Sequence, residues 1–217
     1  MKKLLLKIIV IILQKSTCLS ALACRLTKLT GKHADPIHPK HLISIRQTFF
    51  LPYINKKDIV LDIGCHNGQR TLQAARQCRF IYGLDNNLPA LDLAKKESNR
   101  LNIKNIKFTL SDANKKLPFE KSQFDAVLLL DVLEHLDRQK FVLSEIHRIL
   151  KQRGLLFISV PNKDTSWKKL QKSLGLPYYS DPDHKIEFSK NGIIQLLINH
   201  QFIIKQVKPV TLDTPFI

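Results

Sequence analysis

The chain has 217 residues, enough for one α/β-sized domain and too few for two full domains with linkers. Its 35 Lys and Arg against 18 Asp and Glu leave a net charge of +17, a field that attracts polyanions such as acidic lipid or nucleic acid without choosing between them. The four cysteines, Cys18, Cys24, Cys65 and Cys78, make no C-x-x-C pair and no zinc-type spacing with histidine, so neither a disulfide framework nor a metal site is expected and a reducing environment fits best.

From Leu4 to Leu13 the sequence is apolar except for Lys7. A spanning helix needs about 20 apolar residues, and Gln14, Lys15, Ser16 and Thr17 interrupt this run first. The run is similar to the positive and apolar regions of a signal peptide, with Ala21-Leu22-Ala23 as a conceivable cleavage site. Read as a helix, Lys3, Lys7, Gln14, Arg25, Lys28 and Lys32 share one side and Leu, Ile, Val, Ala and Cys fill most of the rest. A narrow basic stripe beside a wide apolar face predicts a helix lying in an anionic membrane surface through residues 1–32, the alternative being a helix packed on the domain. Gly31 and Asp35-Pro36-Ile37-His38-Pro39 end this extension, placing the boundary between residues 1–40 and a domain of residues 41–217.

Beyond Asp58, short β-branched runs alternate with longer amphipathic ones. Strands are predicted at Ile59–Ile63, Phe80–Leu84, Ile106–Leu110, Ala126–Leu130, Leu155–Val160 and Phe202–Val210, and helices at Gln69–Gln77, Pro89–Leu101, Arg138–Leu150 and Lys190–His200. This alternation predicts an α/β fold, a mostly parallel sheet with helices on both faces.

The most informative stretch is Val60-Leu61-Asp62-Ile63-Gly64-Cys65-His66-Asn67-Gly68, a strand that runs into a glycine-containing turn and then a helix. Asp85 ends the second strand, where a carboxylate can accept from both hydroxyls of a ribose. Together they predict an adenosine-type ligand at the carboxyl ends of the first two strands. The loop lacks the G-x-G-x-x-G spacing of dinucleotide sites and is preceded by the acidic Asp62, which suits a zwitterionic amino-acid tail better than a pyrophosphate. Ser111-Asp112-Ala113 follows the third strand, where a carboxylate can accept from an adenine amine, and Asp131-Val132-Leu133-Glu134-His135-Leu136 follows the fourth.

At these residues the chain resembles the class I S-adenosylmethionine-dependent methyltransferases, in particular the group that includes the ubiquinone and menaquinone biosynthesis enzymes. The resemblance spans roughly residues 58 to 204. It rests on the D-I-G-C loop, Asp85, Leu117-Pro118-Phe119 with Phe124-Asp125, the V-L-E-H-L segment, and Leu150-Lys151-Gln152-Arg153-Gly154 before Ser159-Val160-Pro161-Asn162. It implies a Rossmann-like fold and S-adenosyl-L-methionine as cofactor. Asp62, Gly64, Cys65 and Gly68 would shape the methionine pocket, Asp85 and Asn86 the ribose subsite, Asp112 and Ala113 the adenine subsite, and Asp131 the methionine side. His66 stands where glycine is common, but His is among the residues that tolerate positive φ. Sheets of this class close with a hairpin of two final strands, for which only Thr211 to Ile217 remain after the sixth. A cytosolic cofactor argues against export and for a cytoplasmic protein, peripheral on the inner face of the membrane.

If the acceptor is a hydroxyl, a histidine can serve as general base: His135 and His184 are the candidates, with His66 a third, and no metal is required. The insertion Lys163 to Glu187, with Trp167, Lys168, Lys169, Tyr178 and Tyr179, is expected to cover the acceptor and suits a membrane interface. A nucleic-acid substrate is disfavoured, because Asp131 is followed by Val132-Leu133 and not by an N/D-P-P-Y/F motif. The expectation is O-methylation of a small-molecule or lipid-linked acceptor such as a glycan intermediate or quinone precursor. The rivals are an RNA or DNA methyltransferase and a catalytically silent membrane scaffold, although a scaffold would be expected to have lost Asp85 or the glycines.

Overall fold

The computed structural model describes residues 4–12, 48–176, 178, 181 and 183–209. They fall into two compact units: Phe50–Asn162 with Ser180–Gln206, which carries the sheet, and a second unit that includes Lys163–Tyr179. The predicted domain boundary near His41 and the helix expected over residues 13–32 lie outside the described residues.

In the first unit, β1 (Ile59–Ile63), β2 (Phe80–Asp85), β3 (Ile106–Leu110), β4 (Phe124–Leu130) and β5 (Leu150–Ser159) form one sheet in the order β3-β2-β1-β4-β5. Every pairing is parallel, as the alternation of strand and helix predicted. Buried on both faces, β1 and β4 read as near-continuous apolar runs: Val60, Leu61, Ile63, Val127, Leu128 and Leu129 are fully sealed. Helices α1 (Gln69–Ala75), α2 (Leu88–Arg100) and α3 (Gln139–Ile149) connect the strands, and α5 (Lys190–Asn199) follows later in the chain. On α3 the apolar positions Val142, Leu143, Ile146 and Ile149 recur at spacings of one, three and three and are all buried. At full burial each such side chain contributes about 1.5–3 kcal/mol.

Ile63 pairs with Leu84 on one side and Leu129 on the other, so the carboxyl ends of β2, β1 and β4 lie side by side. The chain goes from β1 outward to β2 and β3, then returns to β4 on the other flank. That reversal opens a crevice between β1 and β4, where sheets of this kind take their ligands.

Two departures from the predicted strands exceed two residues. β5 begins at Leu150, not Leu155, because a register shift lets Phe124 pair with Leu150 while Ala126 pairs with Leu155. The extra residues are absorbed in a bulge where Arg153 takes φ 66°. The predicted sixth strand over Phe202–Val210 is a correction: residues 202–209 join no ladder, and Val210 lies outside the described residues. Phe202 and Ile204 pack on the core while Ile203 is 90% exposed, so the two-residue period reflects half-burial of an extended segment without strand pairing.

In the second unit, residues 4–12 are helical, and α4 (Ser166–Ser173) is capped by Thr165, whose hydroxyl accepts from the Lys168 amide at 3.3 Å. Leu4, Leu5, Ile8 and Ile12 are exposed. Among the described residues no helix is long and apolar enough to cross a membrane.

Candidate cofactor and acceptor site

The turn after β1 is built by backbone geometry. Gly64 and Gly68 take φ of 73° and 77°, and His66, the residue that replaces the common glycine, takes 47°. The left-handed turn therefore survives with histidine in it. A Cβ at Gly64 would collide with a methyl of Val132, and one at Gly68 would lie 2.9 Å from Cβ of Ala94. These positions thus require glycine both for the dihedral and for close approach. The Gly64 and Cys65 amides both donate to the Leu84 carbonyl, at 2.7 and 3.1 Å, which pins the turn to β2. Cys65 is buried and its thiol is pushed far above the ordinary range by desolvation, so it serves the turn and is no nucleophile.

Asp85 fastens the neighbouring loops. Its Oδ2 accepts from the His66 amide at 2.7 Å and its Oδ1 from the Asn87 amide at 2.8 Å. Each carboxylate oxygen has capacity for a second bond, so two hydroxyl donors can still be received. Asn86, expected to help there, is exposed, whereas Asn87 caps α2 by accepting from the Ala90 amide at 3.0 Å. Asp112 lies after β3, with Oδ1 accepting from the Asn114 amide at 2.9 Å, and the neighbouring Ala113 is buried.

Asp62 is 2% exposed, accepts from the Thr71 hydroxyl at 2.7 Å, and has its carboxyl pushed up to about 6 by burial. Asp131 occupies a left-handed conformation with φ 58°. Three contacts hold it there: Arg70 at 2.9 Å, the Ser159 hydroxyl at 2.8 Å, and its own amide donating to the Ser159 carbonyl. Arg70 also donates to the Leu130 carbonyl at 2.8 Å. Sequence reasoning named neither Arg70 nor Thr71. Although the chain is strongly cationic, this end of the sheet gathers four carboxyl groups, Asp62, Asp85, Asp112 and Asp131, a setting suited to ribose hydroxyls and a cationic amino-acid tail and not to a pyrophosphate.

Beyond Asp131 a 3-10 turn, Leu133–His135, brings His135 against His184, 49 residues later, with ring centroids 4.7 Å apart in an edge-to-face arrangement. The Lys185 amide donates to the Glu134 carbonyl at 2.8 Å and anchors the two segments. Nδ1 of His184 lies 3.1 Å from Oε1 of Glu187, and both side chains are buried. The third candidate base, His66, is exposed and enters the site through its amide.

Residues 54–206 match the family model described as a methyltransferase domain. The chain belongs to the methyltransferase-domain family. Among curated proteins it is 34% identical over 91 residues to a probable cobalt-precorrin-6B C(15)-methyltransferase (decarboxylating) of Methanocaldococcus jannaschii, covering 40% of this chain and 50% of that protein. It is also 34% identical over 134 residues to the ubiquinone biosynthesis O-methyltransferase of Glaesserella parasuis, covering 58% and 56% of the two chains. The chain therefore spans only about half the length of these relatives. Among solved structures, the YcgJ protein of Bacillus subtilis superposes with a TM-score of 0.61 at 22% identity, over 72% of this chain and 67% of that one, which establishes the shared fold.

The residues present fit S-adenosylmethionine. The Gly64–Gly68 turn leaves room for close backbone approach, Asp85 has acceptor capacity for a ribose, and Asp62 and Asp131 place carboxyl groups by the ends of β1 and β4.

Proposed function

We propose that this methyltransferase-family chain transfers a methyl group from S-adenosylmethionine to an oxygen of a small acceptor that is lipid-linked or membrane-associated. The observation that carries the reading is the histidine pair: two imidazoles from distant segments, 4.7 Å apart, immediately beyond the fourth strand's Asp131. When bound, S-adenosylmethionine supplies an electrophilic methyl on a sulfonium, whose transfer to oxygen leaves a neutral thioether. Asp85 orients the ribose, Asp112 the adenine, and Asp62 with Asp131 the methionine ammonium. The paired imidazoles take up the acceptor hydroxyl proton as the carbon–oxygen bond forms, and the fold fixes the in-line approach.

The oxygen acceptor is supported by this pair and by one relative, an O-methyltransferase of ubiquinone biosynthesis. The membrane association is supported by the exposed leucines and isoleucines of residues 4–12 and by the excess of positive charge, which draws a protein to anionic lipid.

Calorimetric titration with S-adenosylhomocysteine, on wild type and Asp85→Ala, tests the cofactor site. Micromolar binding that the variant loses while keeping its circular dichroism spectrum supports it; no binding by folded wild type overturns it. Transfer of a labelled methyl to phenolic or lipid-linked hydroxyls, with and without anionic vesicles, tests the acceptor class.

A further inference from the structure

We infer that Glu134, His135 and His184 form a binding site for a divalent transition-metal ion, with Glu187 orienting His184. The three side chains each bring one ligand atom to within 4.8 Å of the others. Ligand atoms of a tetrahedral ion at about 2.1 Å lie roughly 3.4 Å apart, so small side-chain rotations close the set. Two imidazoles and one carboxylate are a donor set suited to zinc, manganese or iron(II) and poorly suited to magnesium, which takes oxygen ligands.

Two further observations favour a cation. Glu187 engages Nδ1 of His184 at 3.1 Å, which leaves Nε2 as the ligand nitrogen. Such carboxylate–histidine pairs orient metal-bound imidazoles. Glu134 and Glu187 are 1% and 2% exposed, so the carboxylate donor and the group that orients His184 both lie shielded from competing water. The backbone link from Lys185 to Glu134 keeps the two ligand-bearing segments together.

Three protein ligands leave a coordination position open to an acceptor hydroxyl. This deepens the methyl-transfer reading and rests on it only for the consequence. Bound there, the hydroxyl loses its proton to solvent, the oxygen then bonds to the methyl carbon, and the carbon–sulfur electron pair leaves on sulfur. With the ion bound, the histidines assist that proton loss through it; without the ion they take up the proton themselves.

The test uses full-length protein without a polyhistidine tag, stripped with chelator and dialysed against zinc or manganese. Elemental analysis of wild type is expected to find one ion per chain. Cobalt(II) is expected to give the visible absorption of a four- or five-coordinate site. His184→Ala and Glu134→Gln lose the ion, and Glu187→Gln weakens binding about 10- to 100-fold. Melting curves and S-adenosylhomocysteine titration identify folded variants; should His184→Ala not fold, His135→Asn takes its place. Substoichiometric metal in folded, cofactor-binding wild type overturns the site, as does undiminished binding by the folded ligand variants. Loss of cofactor binding in wild type with metal retained would instead overturn the transferase reading alone.

Discussion

Arg70 and Asp131, 61 residues apart in sequence, meet at 2.9 Å across the crevice between β1 and β4. One guanidinium nitrogen holds the carboxylate and another the carbonyl of Leu130, so a single side chain spans the junction where β4 turns left-handed.

Arg70→Met removes a charged donor from two acceptors, the partly exposed Asp131 carboxylate and the carbonyl of buried Leu130. The expected loss is about 1–2 kcal/mol, or roughly 3–6 °C in Tm for a chain of this size. S-adenosylhomocysteine affinity is expected to fall about tenfold as Asp131 loses its orientation, equivalent to about 1.4 kcal/mol. Arg70→Lys should recover less than half of either, since an ammonium cannot make the forked contact. Thermal melts and calorimetry check both; full rescue by lysine would contradict the geometric role.

Burial raises the Asp62 carboxyl from 3.8 to about 6. Between those values the folded state holds a proton that the unfolded state has released, so the contribution of Asp62 falls as pH rises from about 4 to 6. Its cost at neutral pH is on the order of 3 kcal/mol. Asp62→Asn, which retains an acceptor for Thr71, is expected to raise Tm at pH 7.5 by several degrees and flatten the melt-versus-pH curve across that window. On the proposed placement of the methionine ammonium beside Asp62, it should also weaken cofactor binding, because the negative charge there is gone. For wild type, affinity should decline as pH is lowered through 6.

Glu145 titrates with the opposite sign. Arg148 bonds both its oxygens and the Leu117 amide donates to one at 2.9 Å, which holds its carboxyl below the usual range. The stabilisation is present at neutral pH and is lost as pH falls below about 4.5, through the lowered folded value. Glu145→Gln should destabilise at pH 7 and much less at pH 3, as measured by denaturant titration at both.

Gly64→Ala combines a left-handed dihedral with a collision against Val132. Gly175, at φ 66° with open space around its would-be Cβ, isolates the dihedral alone. Gly175→Ala is expected to cost about 1–2 kcal/mol and leave S-adenosylhomocysteine binding intact. Gly64→Ala should cost more than that and abolish binding. Equal stability losses in melting experiments would mean that Val132 yields freely.

Much of this was legible in the sequence because local chemistry coincided with tertiary role. β1 is a run of apolar residues ending at an acid and a glycine, and it starts and stops as predicted at Ile59 and Ile63. Asp85 reads as the end of β2 because polar Asn86 and Asn87 follow. Arg70 escaped notice because an arginine in the first turn of a helix reads as a solvated charge; only the reach of its side chain to the end of β4 gives it a partner. His135 and His184 were each visible singly, but their juxtaposition depends on the segment after Ser180 folding back over Glu134, which no local period encodes. The sixth strand failed because alternation records half-burial and cannot distinguish a paired edge from an unpaired one.

Asp85 ties together backbone from three successive loops, through its carboxylate to His66 and Asn87 and through its carbonyl to the Ser111 amide at 2.9 Å. A ligand that draws on that carboxylate therefore bears on all three loops together. Ligand-dependent slowing of hydrogen exchange should appear at these three amides as one cooperative unit, and ordering any one loop lowers the entropy still to be lost by the others.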